Sequence, residues 1–128
     1  MTSFIIFALN TNMTNHNEFE FVKRVVGNSA MRCTGMYKGV AENSYKIDVT
    51  KINDMEELHL LLESFGNGGH GQECILYVNS RGESHLCFQE NGYKFCGTYI
   101  GIFTQVDFDV ALNEDAYTLL NNKFYICE

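Results

Sequence analysis

Two amphipathic helical segments, each set between strand-length apolar runs, constrain the fold of this chain more than any other feature of its sequence. From Glu18 the apolar residues Phe19, Val22, Val25 and Val26 recur at spacings of three and four, which gathers them on one helical face ending near Gly27-Asn28. The second segment opens at Asp54-Met55-Glu56-Glu57, an aspartate cap followed three residues on by a glutamate. Met55, Leu58, Leu61, Leu62 and Phe65 then fill one face before the glycines from Gly66 end the helix. A striped helix must bury its stripe, so each needs a sheet or another helix to lie on.

The strands around them supply that surface. Phe4 to Leu9 has strand length and runs into the polar, turn-rich stretch Asn10 to Asn17. Gly35 to Val40 and Ser44 to Val49 are rich in aromatic and β-branched residues and predict a hairpin turning at Ala41-Glu42-Asn43. Cys74 to Val78 is a continuous apolar run, the pattern of a strand covered on both faces. Ser80 to Glu83 turns the chain into Ser84 to Gln89, and Asn91-Gly92 predicts a hairpin turn into Tyr93 to Cys96. A further strand covers Tyr99 to Val106, and an acidic tail carries Phe124-Tyr125-Ile126. The order β-α-β-β-α-β with extra C-terminal strands predicts an α+β fold, a ferredoxin-like sandwich with both helices on one face of an antiparallel sheet. The other sheet face needs a cover, and with seven tyrosines and ten phenylalanines available, oligomerisation is a natural one.

A chain of 128 residues without a linker is the size of one domain, read here as 1–128. Nine basic against sixteen acidic residues give a formal charge of -7, which disfavours nonspecific nucleic-acid binding. The five cysteines, Cys33, Cys74, Cys87, Cys96 and Cys127, are odd in number and contain no C-x-x-C pair, so they read as reduced core residues. Residues 3–9 are too short for a membrane span and lack the flanks of a leader, so a cytoplasmic protein is expected.

Few residues are spaced for chemistry. His16, His59, His70 and His85 stand apart from one another and from any cysteine at ligand spacing, so neither a metal nor a cofactor is expected. Cys74 opens an apolar run and reads as packing, not as a nucleophile. The loop Gly66-Asn67-Gly68-Gly69-His70-Gly71 lacks a lysine and follows a helix, so it reads as a flexible or ligand-covering loop instead of a phosphate cradle. Two polar intrusions into strand context remain. Glu42, Asn43 and Ser44 crowd the first hairpin beside Tyr37 and Tyr45, and Gln72-Glu73 stand directly before the run at Cys74. A solvated strand cap and a functional carboxylate are both open readings of Glu73, as packing and ligand contact are of the two tyrosines.

The stretch from Gly35 to Tyr45, GMYKGVAENSY, resembles the hairpin motif of the bacteriophage S-adenosylmethionine hydrolases, now called lyases. Gln72 to Val78, QECILYV, is similar to that family's glutamine, acidic residue and small residue before a buried strand, and Gly101 to Val106, GIFTQV, to its later glycine, aromatic and valine pattern. The likeness covers about residues 33–106. It implies a homotrimer with S-adenosylmethionine held between subunits and cleaved to methylthioadenosine and homoserine lactone, with no cofactor. It further implies a phage protein in the host cytoplasm that removes the methyl donor and restriction cofactor. On this resemblance Glu73 is the ribose-binding carboxylate that supports catalysis, and Gln72 shapes the pocket. Glu42, Ser44, Tyr37, Tyr45 and Gln105 are substrate contacts, Gln105 standing where some relatives carry an acidic residue.

Two other classes fit the same composition. An acidic phage protein that inhibits a host enzyme by binding it would show no turnover, and a sensor that binds S-adenosylmethionine would leave it intact.

Overall fold

The structure, a computed structural model, describes residues 2–37, 39–65, 74–95 and 97–128, with Tyr37 as backbone alone. Among them are eight strands and three helices: β1 (Phe4–Ala8), α1 (Asn15–Val25), β2 (Met31–Tyr37), β3 (Val40–Asp48), α2 (Met55–Phe65), β4 (Cys74–Val78), β5 (Glu83–Phe88), β6 (Thr98–Val106), α3 (Phe108–Leu112), β7 (Ala116–Leu120) and β8 (Lys123–Cys127). The strands close into a barrel in the order β1-β3-β2-β7-β8-β6-β5-β4, with β4 pairing back onto β1 and every neighbour antiparallel.

The mixed helix and strand composition, the β-α-β-β-α-β order and the antiparallel pairing are as the sequence predicts, and the extra C-terminal strands close the sheet into a barrel where a two-layer sandwich was expected. Strands β4, β1, β3 and β2 do lie side by side, and α1 and α2 cover one face of them. The opposite face is not left bare, because β7, β8, β6 and β5 continue the ladder until it meets itself. Closure removes the two unpaired edges an open sheet would expose. Glycine at 101 makes one of the necessary bends: its φ is +118°, and a Cβ there would fall 2.6 Å from the backbone of Glu128.

Alternation along the strands divides the interior in two. Ile5, Phe7, Tyr45, Ile47 and Ile75 point outward and pack against Val22 and Val26 of α1 and Leu58, Leu61 and Leu62 of α2. Phe4, Ile6, Cys33, Val78 and Leu120 point inward, with Leu76, Phe103 and Tyr125 against them, and fill one half of the barrel. Thr14 caps α1 by accepting from the Asn17 amide, and the Asp54 side chain accepts from the Glu56 amide at the start of α2.

Three local expectations are corrected. The first hairpin turns at Gly39, whose φ is +80°, so Ala41, Glu42 and Asn43 belong to β3, with Glu42 opposite Gly35. Asn91-Gly92 makes no hairpin: a 3-10 turn at Gln89–Asn91 ends on left-handed Gly92, and Tyr93 then buries itself against α2, its hydroxyl donating to the Leu62 carbonyl at 3.5 Å. The acidic tail is a helix and a hairpin, β7 and β8 joined by Asn121 and Asn122, which both take positive φ as a primed turn requires.

Candidate active site

Residue size falls along each inward row toward one end of the barrel. On β1 the row reads Phe4, Ile6, Ala8; on β7, read toward its start, Leu120, Thr118, Ala116; on β4, Val78, Leu76, Cys74. The large residues meet and plug the lower half, where Lys46 lies over the Phe4 ring at 4.5 Å and pairs with Asp48 at 3.4 Å. The small ones leave a cavity of about 410 Å3 at the other end, within the range of ligand pockets.

Its wall is apolar for most of its depth, with Ile6, Leu76, Leu86 and Ile100, and Tyr125 stacks on Phe103 at its base, ring centroids 4.8 Å apart. Polar groups enter from β2, β3 and β7. Ser44 is buried and donates to the Glu42 carbonyl at 3.3 Å, and Thr118 is buried across from it. Glycine at 35 permits this approach, since a Cβ there would come within 3.0 Å of the Ser44 hydroxyl oxygen. Three carboxylates, Glu42, Glu114 and Asp115, stand on the lining, and no lysine or arginine does among the described residues. The field at the mouth therefore favours a cation.

Two thiols, Cys74 and Cys127, also line the cavity. Burial pushes the Cys74 thiol up from its ordinary range, with Cys87 and the Glu42 carboxylate adding to it. Burial likewise raises Cys127, against a smaller opposing effect of the Ser84 hydroxyl. Both are held as neutral thiols and are poor nucleophiles. Among the described residues no cluster of His, Cys, Asp or Glu is arranged to hold a metal ion.

The residues singled out from sequence are placed unequally. Glu42 and Ser44 meet at the cavity, and the Tyr37 backbone lies at the same barrel end, opposite Val40 and Ala116. Tyr45 is 1% exposed in the outer core, stacked with Phe19 at 6.0 Å and donating its hydroxyl to Glu18. Burial, then that hydrogen bond and the Glu18 charge, push its phenol well up. Gln105 is exposed near the far end of β6, opposite Tyr125, and is not on the cavity lining. Gln72, Glu73 and the Gly66–Gly71 loop lie outside the described residues, as does Cys96. Sequence reading missed Thr118, Tyr125, Cys127 and Glu18. Glu18 carried a signal, for it precedes Val22 and Val26 by four and eight residues and so falls on the buried stripe of α1.

The sequence profile of the S-Adenosylmethionine lyase family matches residues 7–128, almost the whole chain. The chain belongs to that family. It is accordingly an enzyme that acts on S-adenosylmethionine, and the family match takes in all eight strands except the first residues of β1. No individual curated sequence matches it. No helix among the described residues of this lyase-family chain is long and apolar enough to cross a membrane.

Proposed function

We propose that the protein cleaves S-adenosylmethionine to methylthioadenosine and homoserine lactone by internal attack. The substrate carboxylate oxygen bonds to its own γ-carbon, the carbon–sulfur bond breaks, and the electron pair leaves with sulfur as a neutral thioether. No proton need move. The observation that carries this reading is a largely apolar cavity whose charged lining residues, among those described, are all carboxylates and whose thiols are held un-ionised. Such a site attracts a cation yet offers a weak nucleophile, which suits a substrate carrying its own.

The energetics point the same way. Folding the methionine tail into an attack geometry contributes roughly 7–11 kcal/mol by the effective-molarity argument. The reaction also cancels a negative carboxylate against a positive sulfonium. An apolar wall penalises the separated charges more than the transition state in which they merge. The carboxylates stand at the rim, with Glu42 half-buried, so they draw the cation in without holding the sulfonium at full strength.

In this reading Glu73 orients the ribose and Gln72 shapes the pocket; Cys74, next in sequence, lines the cavity. Glu42 and Ser44 contact the substrate at the mouth, with Tyr37 at the same end. Tyr45 acts through Glu18, and Gln105 contacts a substrate held by a neighbouring subunit. A homotrimer with shared sites is supported by the exposed apolar residues Tyr99, Ile102, Phe108, Val110 and Leu112 of β6 and α3. Depleting the methyl donor of an infected cell, in its cytoplasm, and so blunting restriction, is the role this activity serves.

Reaction in 18O-labelled water tests the chemistry. Internal attack predicts homoserine lactone free of label in the first turnovers, whereas labelled homoserine formed directly would overturn it. Glu73→Gln is expected to remove most turnover while circular dichroism stays unchanged; full activity would take Glu73 out of the mechanism.

A further inference from the structure

A second chamber of about 330 Å3 adjoins the barrel mouth. It is bounded by Asn10 and Thr11 after β1, Asn15 and Glu18 of the first turns of α1, and Glu42 and Asn43 of β3. It shares Ala8 and Glu42 with the barrel cavity. One space is thus largely apolar and the other polar, and the two adjoin at Ala8 and Glu42.

Glu18 sets the chemistry of the polar space. It is only 6% exposed, yet it takes no part in the ion pairs among the described residues. Its two carboxylate oxygens accept from hydroxyls, one from Tyr45 and one from Thr11. A buried carboxylate with hydroxyl partners and no ion pair is complementary in charge to a cation entering the chamber. The Asn43 side-chain amide donates to the Asn15 side-chain oxygen at 2.7 Å on the chamber's exposed side, adding amide groups for a hydrogen-bonding guest.

We infer that this chamber receives the α-ammonium group of the substrate's amino-acid end, with Glu18 as its buried counter-charge. The inference rests on the lyase reading above. Glu18 is held in place by Tyr45 and Thr11, so the ammonium is fixed relative to Ala8 and the barrel mouth. Fixing that group removes rotations that would otherwise swing the carboxylate away from the γ-carbon, so the chamber contributes to positioning as well as to selectivity.

Binding of S-adenosylhomocysteine, the thioether analogue that lacks the sulfonium leaving group, and of its 2-deamino counterpart tests this by calorimetry. Glu18→Gln keeps the size and the hydroxyl partners while removing the charge. It is expected to weaken the amino ligand about tenfold and to leave the deamino ligand within about twofold. Asn15→Lys, at an exposed position that leaves the buried network intact, is expected to produce the same amine-selective loss. Equal weakening of both ligands, or of neither, in the folded variants overturns the chamber assignment. Wild-type protein that neither binds the analogue nor cleaves S-adenosylmethionine would sink the lyase reading and the chamber assignment together. Binding and cleavage by the wild type without amine selectivity in the variants would sink the assignment alone.

Discussion

The outward face of β1, β3 and β4 is packed against two helices from Ile47 to Tyr45 and gives way to a polar chamber only beyond it, whereas the inward face of the same strands is packed at one end and opens into the barrel cavity at the other. Outside, Ile5, Phe7, Tyr45, Ile47 and Ile75 meet two helices; inside, Phe4 and Ile6 give way to Ala8, and Cys33 to Gly35. Because successive side chains point to opposite faces, each strand can carry stability on one row and a cavity on the other with little interference. Substitutions on the two rows should therefore separate folding from activity.

The largest separation is expected inside. Ala8→Phe fills the cavity at its junction with the polar chamber, and kcat/KM for S-adenosylmethionine should fall by about a hundredfold or more, from displacement of the reacting atoms. The urea midpoint should hold or rise, and wild-type turnover in this variant would break the assignment of the site to the barrel. On the outer row, Leu58→Ala empties a fully buried position under the sheet. Equilibrium unfolding should show a loss of about 2–5 kcal/mol, with turnover per folded molecule retained; a loss of activity without a loss of stability would invert the comparison.

Smaller effects sharpen it. Tyr45→Phe strips one of the two hydroxyls from Glu18 and should cost about 1–3 kcal/mol in urea unfolding; no change would show that the buried carboxylate does not depend on it. Burial pushes the Cys33 thiol up to about 12, with the Lys46 charge opposing it more weakly. The unfolded chain then releases this proton first, so stability is full below about pH 9 and declines as pH rises toward 12, by about 1.4 kcal/mol per unit for one such group. Urea titrations between pH 8 and 10.5 should show that slope, and Cys33→Val should lessen it; an unchanged slope would remove Cys33 as its source.

Much of the outer half of the molecule was legible in the sequence. The striped helices, the Asp54 cap and the buried run at Cys74 announce themselves by period, and α2 and β4 stand where the pattern put them. The barrel was not legible, because closure depends on the last third of the chain, where Ala116 to Leu120 is a five-residue strand flanked by acidic and amide residues. Nor does Asn91-Gly92 reveal that Tyr93 has a core site to fill, which outweighs the local preference for a hairpin. Of the site, Glu42 and Ser44 could be found from their polar intrusion into a strand. Thr118 and Tyr125 could not, since only three-dimensional closure brings β7 and β8 to face β1. The tapering rows are visible in retrospect, but their meaning depends on knowing which strands are neighbours.

The most direct test of the account is to incubate the purified protein with S-adenosylmethionine and resolve the products by mass-detected chromatography over the first turnovers. Cleavage in the barrel predicts methylthioadenosine and homoserine lactone appearing together in equal amounts. Intact S-adenosylmethionine in the presence of demonstrably folded protein would contradict it.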